Sequence, residues 1–382
     1  MKRALLIASV ASMIEQFNMN NIQLLQNGGY EVHVAANFIC GNTCSDEQVE
    51  SLKKRFKEKH VYYYQIDFIR NPFKVLQNYN AYNELKKIEK NCHYDLIHCH
   101  SPIGGLLGRF VFRKCNGTTI IYTAHGFHFY KGAPLLNWLL YYPVERICAH
   151  YTDILITINH EDYQRAKHFT LHDGGKVYYV SGVGIDTHQI NEININRETK
   201  CKELGISPDT FIILSVGELN KNKNHEIALK AVAKLKNKNF VYLICGQGDQ
   251  LRHLKVLSQK LGINDQVIFL GYRFDVFEIY KIADVFLFPS FREGLPVAVM
   301  EAMAAGLPIV CSDIRGNNDL ILNEKNGYLV YSKNINAFTD SINILMNNKK
   351  MQIVMGQYSK QLASSYDKKC IMKLMYDIYF RK

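Results

Sequence analysis

Residues 284–306 read DVFLFPSFREGLPVAVMEAMAAG, a pattern that indicates a buried strand leading into a short helix. The apolar run stops at Pro289, because proline cannot continue the hydrogen-bond ladder of a central strand. Pro296 suits the first turn of a helix, and Gly306 followed by Pro308 ends it, which predicts a helix of about three turns. A strand that turns directly into a helix is the repeating unit of parallel α/β sheets.

The same alternation extends over nearly the whole chain and predicts an α/β fold of two doubly wound, Rossmann-like domains. In the first half the predicted strands are 4–8, 31–35, 61–66, 96–99, 119–123, 154–157 and 176–180. In the second half they are 211–216, 240–244, 267–270, 285–289, 308–311 and 327–330. If two such domains face each other across a cleft, a ligand is expected there, at the carboxyl ends of the strands.

The domain boundary is predicted in a stretch where glycine and polar residues replace the apolar runs. Residues 181–186 contain two glycines and are followed by the polar stretch 191–202, which suggests a hinge. We therefore predict an N-terminal domain over residues 1–183 and a second domain over 184–362. The last segment, 363–382, is helical in pattern and is expected to pack back on the N-terminal domain.

The start of the helix predicted after Pro296 has the features of an anion site. The N–H groups of Gly294, Leu295 and Val297 are expected to point away from the strand, at the positive end of the helix dipole, which attracts phosphate. Glu293 and Glu301 add two carboxylates, each able to accept hydrogen bonds from two vicinal hydroxyls. Ordinary surface charge is the alternative, but the neighbours of Glu301 are apolar, which disfavours a solvated helix face.

The spacing of these two glutamates resembles the E-x7-E element of the retaining glycosyltransferases of family 4, and the surrounding letters match almost throughout. The resemblance implies a GT-B architecture, in which the second domain binds a nucleotide sugar. It implies that Glu293 contacts the hydroxyls of the transferred sugar and that Glu301 holds the ribose. The backbone of Gly294 and Leu295 is implied to meet the diphosphate.

The loop after the strand at 211–216 departs from the family pattern at one position. The family has an arginine and, further on, a lysine that together hold the donor diphosphate. Lys223 occupies the lysine position, whereas Glu218 stands where the arginine is expected. A carboxylate cannot bind a diphosphate, so Lys223 and the helix dipole act without a second cation, or Lys221 or Arg292 replaces it.

Two further loops of the second domain are weaker candidates. Gly246 and Gly248 form a tight strand-to-helix turn, which a purely structural role explains equally well. Tyr272 and Arg273 follow a strand at the place where family members hold the nucleotide base with main-chain groups. The resemblance therefore assigns both residues to the donor site.

In the N-terminal domain the candidates are histidines. His125 leaves the strand 119–123 at the position of the family's reaction-centre histidine, although a core or capping role is the alternative. His98 and His100 share one face of a strand and have a spacing that metal ligands use. No carboxylate accompanies them and the family needs no metal at its sugar site, so we predict no metal. His100 is expected near the acceptor.

Composition narrows the class of protein further. The formal charge of +11 suits a phosphorylated or anionic partner, but no nucleic-acid-binding motif is present, so nucleic acid is excluded. The ten cysteines are scattered, without a C-x-x-C pair, as in a reducing compartment. The apolar run at the start is too short for a signal peptide, and no run reaches the roughly 18–20 residues that span a bilayer. A cytoplasmic protein is expected.

A narrower resemblance concerns residues 122–142 and 183–186, which are similar to bacterial exopolysaccharide and capsule glycosyltransferases. Those enzymes extend lipid-linked saccharides, on polyprenyl diphosphate, at the inner face of the membrane. Residues 105–114 and 135–142 combine apolar and aromatic side chains with basic ones, which suits a peripheral contact with anionic lipid. Core packing of the two segments is the alternative.

The predicted function is transfer of a hexose or N-acetylhexosamine from a nucleotide sugar, expected to be UDP-linked, to a lipid-linked saccharide with retention of configuration. No cofactor or metal is expected. A nucleotide-sugar 2-epimerase of the same fold is one alternative. A non-catalytic nucleotide-sugar binder, suggested by Glu218, is the other.

Overall fold

The structure is a computed structural model that describes residues 1–381 and divides into two compact units. Unit 1 consists of Met1–Val183 together with the C-terminal segment that begins at Ile371, and unit 2 is Gly184–Cys370. Each unit is built on one sheet in which all the strand pairs are parallel.

Unit 1 has seven strands, and its sheet order places the first strand in the middle. The strands are β1 (Lys2–Ile7), β2 (Tyr30–Ala36), β3 (Tyr62–Gln65), β4 (Leu96–His100), β5 (Thr119–Ala124), β6 (Ile154–Thr157) and β7 (Lys176–Tyr179). The order across the sheet is β3-β2-β1-β4-β5-β6-β7. The helices are α1 (Ala11–Phe17), α2 (Met19–Asn27), α3 (Asp46–Glu58), α4 (Val75–Asn91), α5 (Pro102–Phe112), α6 (Leu135–Ala149) and α7 (His160–Ala166).

Unit 2 repeats the plan with six strands. These are β8 (Phe211–Val216), β9 (Phe240–Cys245), β10 (Val267–Gly271), β11 (Val285–Phe288), β12 (Ile309–Ser312) and β13 (Gly327–Val330). The order is β10-β9-β8-β11-β12-β13. The helices are α8 (Thr187–Glu192), α9 (Arg197–Glu203), α10 (His225–Ala233), α11 (Leu251–Lys260), α12 (Val276–Ile282), α13 (Val297–Ala304), α14 (Asn317–Leu320), α15 (Ile335–Met346) and α16 (Lys349–Ala363). The last helix, α17 (Lys368–Phe380), begins in unit 2 and continues into unit 1.

The apolar runs of the central strands have a physical cause. Alternate residues of β1 enter two different cores, Ala4 and Leu6 on one side of the sheet and Leu5 and Ile7 on the other. A strand covered on both faces needs apolar side chains at every position, so it lacks the polar alternation of a half-exposed strand. This is why all thirteen predicted strands are present, with ends within two residues of the predicted ones.

Three details differ from the predictions. The helix after Pro296 has eight residues, or about two turns rather than three, because Pro296 itself has an extended backbone and stays outside it. The polar stretch 191–202 is not irregular throughout, since α9 starts within it, capped by the side chain of Asn196. The C-terminal helix starts at Lys368, and its Met375 and Tyr379 lie in the core of unit 1.

One buried ion pair joins α5 and α6. Arg109 is 1% exposed, donates to Glu145 at 2.8 Å, and lies 3.8 Å from the centre of the Tyr122 ring. The Tyr122 hydroxyl donates to the other oxygen of Glu145 at 3.1 Å. Segment 105–114 was predicted as a membrane-facing surface, and this is wrong for its centre, where Gly105, Gly108 and Arg109 are buried against the sheet.

We expect Glu145→Ala to lower the free energy of unfolding of unit 1 by about 3–5 kcal/mol, because it leaves the Arg109 charge buried without a partner. Urea unfolding followed by the fluorescence of Trp138, the single tryptophan, which packs in the core of unit 1, measures this. Glu50→Ala breaks the exposed pair with Lys53 and serves as the control, with an expected loss of about 0–1 kcal/mol. Equal losses in the two variants would contradict the assignment.

Candidate functional site

The candidate site of unit 2 lies where the strand order reverses. β8 and β11 are neighbours in the sheet, but the chain leaves them toward opposite edges, through β9 and β10 on one side and β12 and β13 on the other. Loops that leave such a pair separate and open a crevice at the carboxyl ends of the strands. The loop 217–224 follows β8, and the loop 289–296 follows β11.

Glycines let the loops at this edge touch through their backbones. Gly246 has a φ of +150°, and a Cβ there would be 1.8 Å from the carbonyl oxygen of Gly217. Gly316, in the loop after β12, has a φ of +82°, and a Cβ there would be 2.4 Å from the carbonyl oxygen of Gly294. Neither position admits a side chain, so the turn at Gly246 is a requirement of the loop packing.

Hydrogen bonds tie the loops after β8 and β11 together. The N–H of Phe291 donates to the carbonyl oxygen of Asn222 at 2.8 Å, and the Asn222 side chain donates to the carbonyl oxygen of Arg292 at 2.9 Å. These bonds bring two predicted donor-site residues together. The ammonium of Lys223 lies 2.8 Å from a carboxylate oxygen of Glu293, and both side chains are largely buried.

The start of α13 presents unpaired donors, as the sequence predicted. Within residues 1–381 the N–H groups of Gly294, Leu295 and Val297 donate to no other group of the protein. The guanidinium of Arg315 donates to the carbonyl oxygen of Glu293 at 3.2 Å and fixes the backbone just before these donors. Three N–H groups, the dipole of α13 and Lys223 thus form one electropositive edge, suited to a phosphate group.

Glu301 lies in the second turn of α13 and is partly buried. Its carboxylate accepts a hydrogen bond from the hydroxyl of Tyr280 at 3.3 Å. Burial raises the pKa of Glu301 to about 7, although the Tyr280 bond acts in the opposite direction. A carboxyl group that titrates near neutrality inside a candidate site is a chemical feature in its own right.

Glu218, which replaces the expected arginine, is exposed at the edge of the site. Its carboxylate accepts from the side chain of Asn220 at 2.9 Å, whereas Lys223 pairs with Glu293. Lys221 and Arg292 are also exposed, in the two loops that the Asn222 bonds join. Either cation is therefore exposed enough to contact an anionic ligand in place of the expected arginine, which the Glu218 carboxylate cannot do.

The Arg273 side chain is held by carboxylates of unit 2. The guanidinium pairs with Asp275 at 2.7 Å and with Glu203 at 3.0 Å, and Lys200 joins the same carboxylates. These partners hold the pKa of Asp275 below its usual range and leave the guanidinium occupied within unit 2. Tyr272 is exposed, and its ring meets Phe274 edge-on. The assignment of Tyr272 and Arg273 to the nucleotide base concerned main-chain groups, so these side-chain contacts leave it a prediction.

Three histidines of unit 1 lie close together: His98 is in the middle of β4, His100 ends that strand, and His125 follows β5. His100 and His125 are joined by a hydrogen bond of 3.2 Å between ring nitrogens, and the His98 ring lies 4.0 Å from that of His100. Burial lowers the pKa of His125 to about 4 and that of His98 to about 3, so both rings are neutral at ordinary pH. His98 bonds the hydroxyls of Tyr379 and Thr123.

His100 is more deeply buried than its neighbour His125. It is 1% exposed, and its Nε2 has no partner within the described chain. Its other ring nitrogen is joined to the ring of His125, and the expectation that His100 lies near the acceptor stays a prediction. Residues 1–381 contain no group of three or more His, Cys, Asp or Glu side chains placed to hold a metal ion.

Sequence reasoning missed Tyr280, Arg315 and Gly316. Tyr280 is in α12 and reaches Glu301 across 21 positions of sequence, which no local pattern indicates. Arg315 and Gly316 follow β12 at the same sheet edge as Glu293. A glycine in the loop after a predicted strand was the available signal.

The comparisons with known proteins agree with this class of fold. The family Glycosyl transferase 4-like matches residues 4–159, and the family Glycosyl transferases group 1 matches residues 196–362. EpsD of Bacillus subtilis (strain 168), a protein named as a glycosyltransferase, is 36% identical over 99% of this chain and 96% of its own. The chain therefore belongs to the group 1 glycosyltransferases and is an enzyme of that class.

Two further comparisons concern a relative with named substrates and a solved structure of the same fold. The UDP-Gal:alpha-D-GlcNAc-diphosphoundecaprenol alpha-1,3-galactosyltransferase of Escherichia coli is 26% identical over 93% of this chain and 90% of its own. The crystal structure of Anabaena HepE in complex with UDP matches with a TM-score of 0.78 at 16% identity, over 100% of both chains. The fold is thus the GT-B fold of two Rossmann-like units.

Nucleotide affinity is expected to depend on the protonation of Glu301. A carboxylate accepts from ribose hydroxyls, whereas the protonated group accepts poorly, so affinity for UDP should rise through the pKa of about 7. Calorimetric titration should show about tenfold tighter binding at about pH 8 than at about pH 6, beyond the slope caused by UDP's own phosphate.

The variant Glu301→Gln measures the pH dependence that UDP itself causes, because the amide has a shape similar to that of the carboxyl group and does not titrate in this range. The variant should bind UDP more weakly at the higher pH and should retain only the dependence that belongs to the ligand. If the wild type and the variant have parallel pH profiles, Glu301 does not contact the nucleotide.

Proposed function

We propose that this glycosyltransferase is a retaining enzyme of family 4 that transfers a hexose or N-acetylhexosamine from a UDP-sugar to a lipid-linked saccharide. The observation that carries the proposal is the joining of Lys223, Glu293 and the unpaired N–H groups before α13 at one sheet edge. The galactosyltransferase of Escherichia coli, whose name states a UDP-sugar donor and a diphosphoundecaprenol-linked acceptor, supports the substrate class.

Each part of the nucleotide-sugar donor is proposed to contact its own set of atoms in unit 2. The diphosphate meets Lys223 and the N–H groups of Gly294 and Leu295, and the sugar hydroxyls meet Glu293. The ribose meets Glu301, about one turn of helix beyond the first residue of α13. The base contacts main-chain groups at Tyr272 and Arg273, since the Arg273 side chain is engaged elsewhere.

Electrostatic stabilisation of the leaving diphosphate drives the reaction. Negative charge develops on the diphosphate as the sugar departs, and preorganised donors and cations lower the energy of that state. Lys223 is paired with Glu293 until the donor binds, so donor binding exchanges this partner for the diphosphate and sets Glu293 free for the sugar. Because Lys223 and the helix start supply the positive charge, we propose a reaction that needs no metal ion and no protein nucleophile.

The acceptor side of the proposal rests on unit 1. His125 is neutral and partly exposed at the end of β5, and the His100 ring holds it by a hydrogen bond. A neutral imidazole acts there as a hydrogen-bonding group toward sugar hydroxyls. The acceptor is proposed to be a polyprenyl-diphosphate saccharide of exopolysaccharide or capsule synthesis, and the enzyme is proposed to work peripherally at the cytoplasmic membrane face. Among residues 1–381, no helix combines the length and apolarity that a membrane crossing requires.

Glu293→Gln is expected to lower turnover by at least about a hundredfold, because the amide removes the charge that Lys223 and the sugar hydroxyls both use. UDP release is measured with a panel of UDP-sugars and lipid-linked acceptor, with a parallel incubation that contains donor alone. Asp340→Asn, at an exposed carboxylate of α15, is the control and should retain full activity.

A turnover of Glu293→Gln within tenfold of the wild-type value would contradict the proposed contact of Glu293 with the transferred sugar. Conversion of the donor to an epimer without acceptor would instead favour the 2-epimerase, which shares the fold. Magnesium chelation should leave the wild-type rate unchanged, since the site uses Lys223 as its cation.

Glu218→Arg tests the departure from the family pattern. Replacing an exposed carboxylate by a guanidinium near the diphosphate should tighten UDP binding about three- to tenfold, because the local charge becomes more positive by two. Calorimetry of UDP binding is measured for both Glu218→Arg and Glu218→Gln. Glu218→Gln only removes the repulsion between the carboxylate and the diphosphate, whereas Glu218→Arg also adds the attraction of a guanidinium. Unchanged affinity in both variants would place the diphosphate away from this loop.

A further inference from the structure

Helix α6 has an exposed face that consists almost entirely of aliphatic side chains. Leu135 is 80% exposed, Leu136 60% and Leu139 72%. The face continues along the helix through Leu140, Val144 and Ile147. A helix on the surface of a soluble unit normally turns charged and polar residues outward, so an apolar outer face indicates a partner.

The opposite side of α6 packs against the core of unit 1. Trp138, Tyr141 and Tyr142 pack against the core, and Glu145 is held by Arg109. The exposed leucines are therefore not core residues that a small adjustment would cover. Core packing, the alternative explanation for segment 135–142, accounts for the aromatic residues but not for the leucines.

Charge identifies the kind of partner. Between residues 96 and 152 the only carboxylate is that of Glu145, and it is buried in its ion pair. The cations Lys131 and Arg146 are exposed at the start and near the end of α6. Asp153, the next carboxylate along the chain, pairs with His172, and Glu161 pairs with Arg165.

A second pair of cations lies beside the end of α6. The Arg113 guanidinium lies 5.3 Å from the centre of the Phe110 ring, and this ring contacts that of Tyr151, just after the helix. Lys114 follows Arg113 and is exposed. An aliphatic face bordered by cations and without an unpaired carboxylate complements the surface of an anionic bilayer, where acyl chains lie below phosphate groups.

We propose that the outer face of α6, defined by Leu135, Leu136, Leu139, Leu140, Val144 and Ile147, inserts into the headgroup region of a leaflet that contains anionic phospholipid. The inference rests on the proposed function in that a lipid-linked acceptor requires the enzyme to reach a membrane. The inference adds which surface of the enzyme contacts the membrane. α6 is joined to the loop that carries His125, because the Asn137 side chain donates to the carbonyl oxygen of His128 at 2.9 Å.

Co-sedimentation with vesicles of equal parts phosphatidylglycerol and phosphatidylcholine tests the proposal without any donor or acceptor. We expect Leu135→Ser/Leu139→Ser to lower the partition coefficient at least about tenfold, since two exposed leucines no longer leave water. Ile353→Ser/Val354→Ser removes comparable exposed aliphatic surface from α16 of unit 2 and should bind as the wild type does. Vesicles of phosphatidylcholine alone should bind the wild type more weakly.

A second variant shows whether weaker binding by the double-serine variant is caused by misfolding. Arg146→Glu leaves the aliphatic face intact and should weaken binding to the anionic vesicles most at low salt. Wild-type binding by Leu135→Ser/Leu139→Ser, or no binding of the wild-type protein, would overturn the proposal. A wild-type dimer that Leu135→Ser/Leu139→Ser converts to monomers, without vesicle binding, would overturn it in favour of a second copy of the chain.

Transfer assays separate this proposal from the proposed function. Leu135→Ser/Leu139→Ser should lose transfer to an acceptor embedded in vesicles but keep wild-type transfer to a short-chain, water-soluble acceptor. Equal losses with both acceptors would place the leucines in the catalytic apparatus and overturn docking. A wild-type protein that binds vesicles but transfers no sugar would contradict the proposed function and support the docking surface.

Discussion

Unit 2 depends on how closely its backbone can approach itself beyond the ends of the central strands. The turn at Gly246 lies against Gly217, and Gly316 lies against Gly294, at distances that exclude any Cβ. Asn222 then joins the loops after β8 and β11 with a main-chain and a side-chain hydrogen bond. The positions of Lys223 and Glu293 follow from this packing, because each side chain belongs to a loop that its neighbours already hold.

In the proposed function, that arrangement explains how the donor site can act with Glu218 in place of the expected arginine. Positive charge comes from backbone N–H groups and the dipole of α13 as well as from side chains, and these depend on backbone geometry rather than on residue type. Lys223 adds a full charge that Glu293 keeps oriented in the absence of a ligand. In the proposed function, the absence of the expected arginine weakens the site without removing its electrostatic attraction for the diphosphate.

The sequence predicted what is encoded locally. Strands buried on both faces appear as apolar runs, and Glu293, Glu301 and Lys223 are recognised by spacing, since the backbone fixes where such positions lie. It did not predict features that depend on distant partners. The Arg273 side chain is occupied by Glu203, which lies 70 positions earlier, and His100 is buried by its tertiary surroundings. Pattern alone also could not distinguish α5, which is buried, from α6, whose outer face is exposed.

The contrast between α5 and α6 shows how the outer face of α6 can be both apolar and well positioned. Burial of Arg109 is costly, and Glu145 and the Tyr122 ring offset that cost only in one orientation of α6. The ion pair therefore fixes the rotation of the helix about its axis. With the rotation fixed, the leucines cannot turn inward. The stacking of His128 on Tyr141, with ring centres 4.6 Å apart, then connects the fixed helix to the loop that begins at His125. A leaflet that covers the leucines would hold this loop at a defined depth, where the diphosphate of a lipid-linked saccharide also lies.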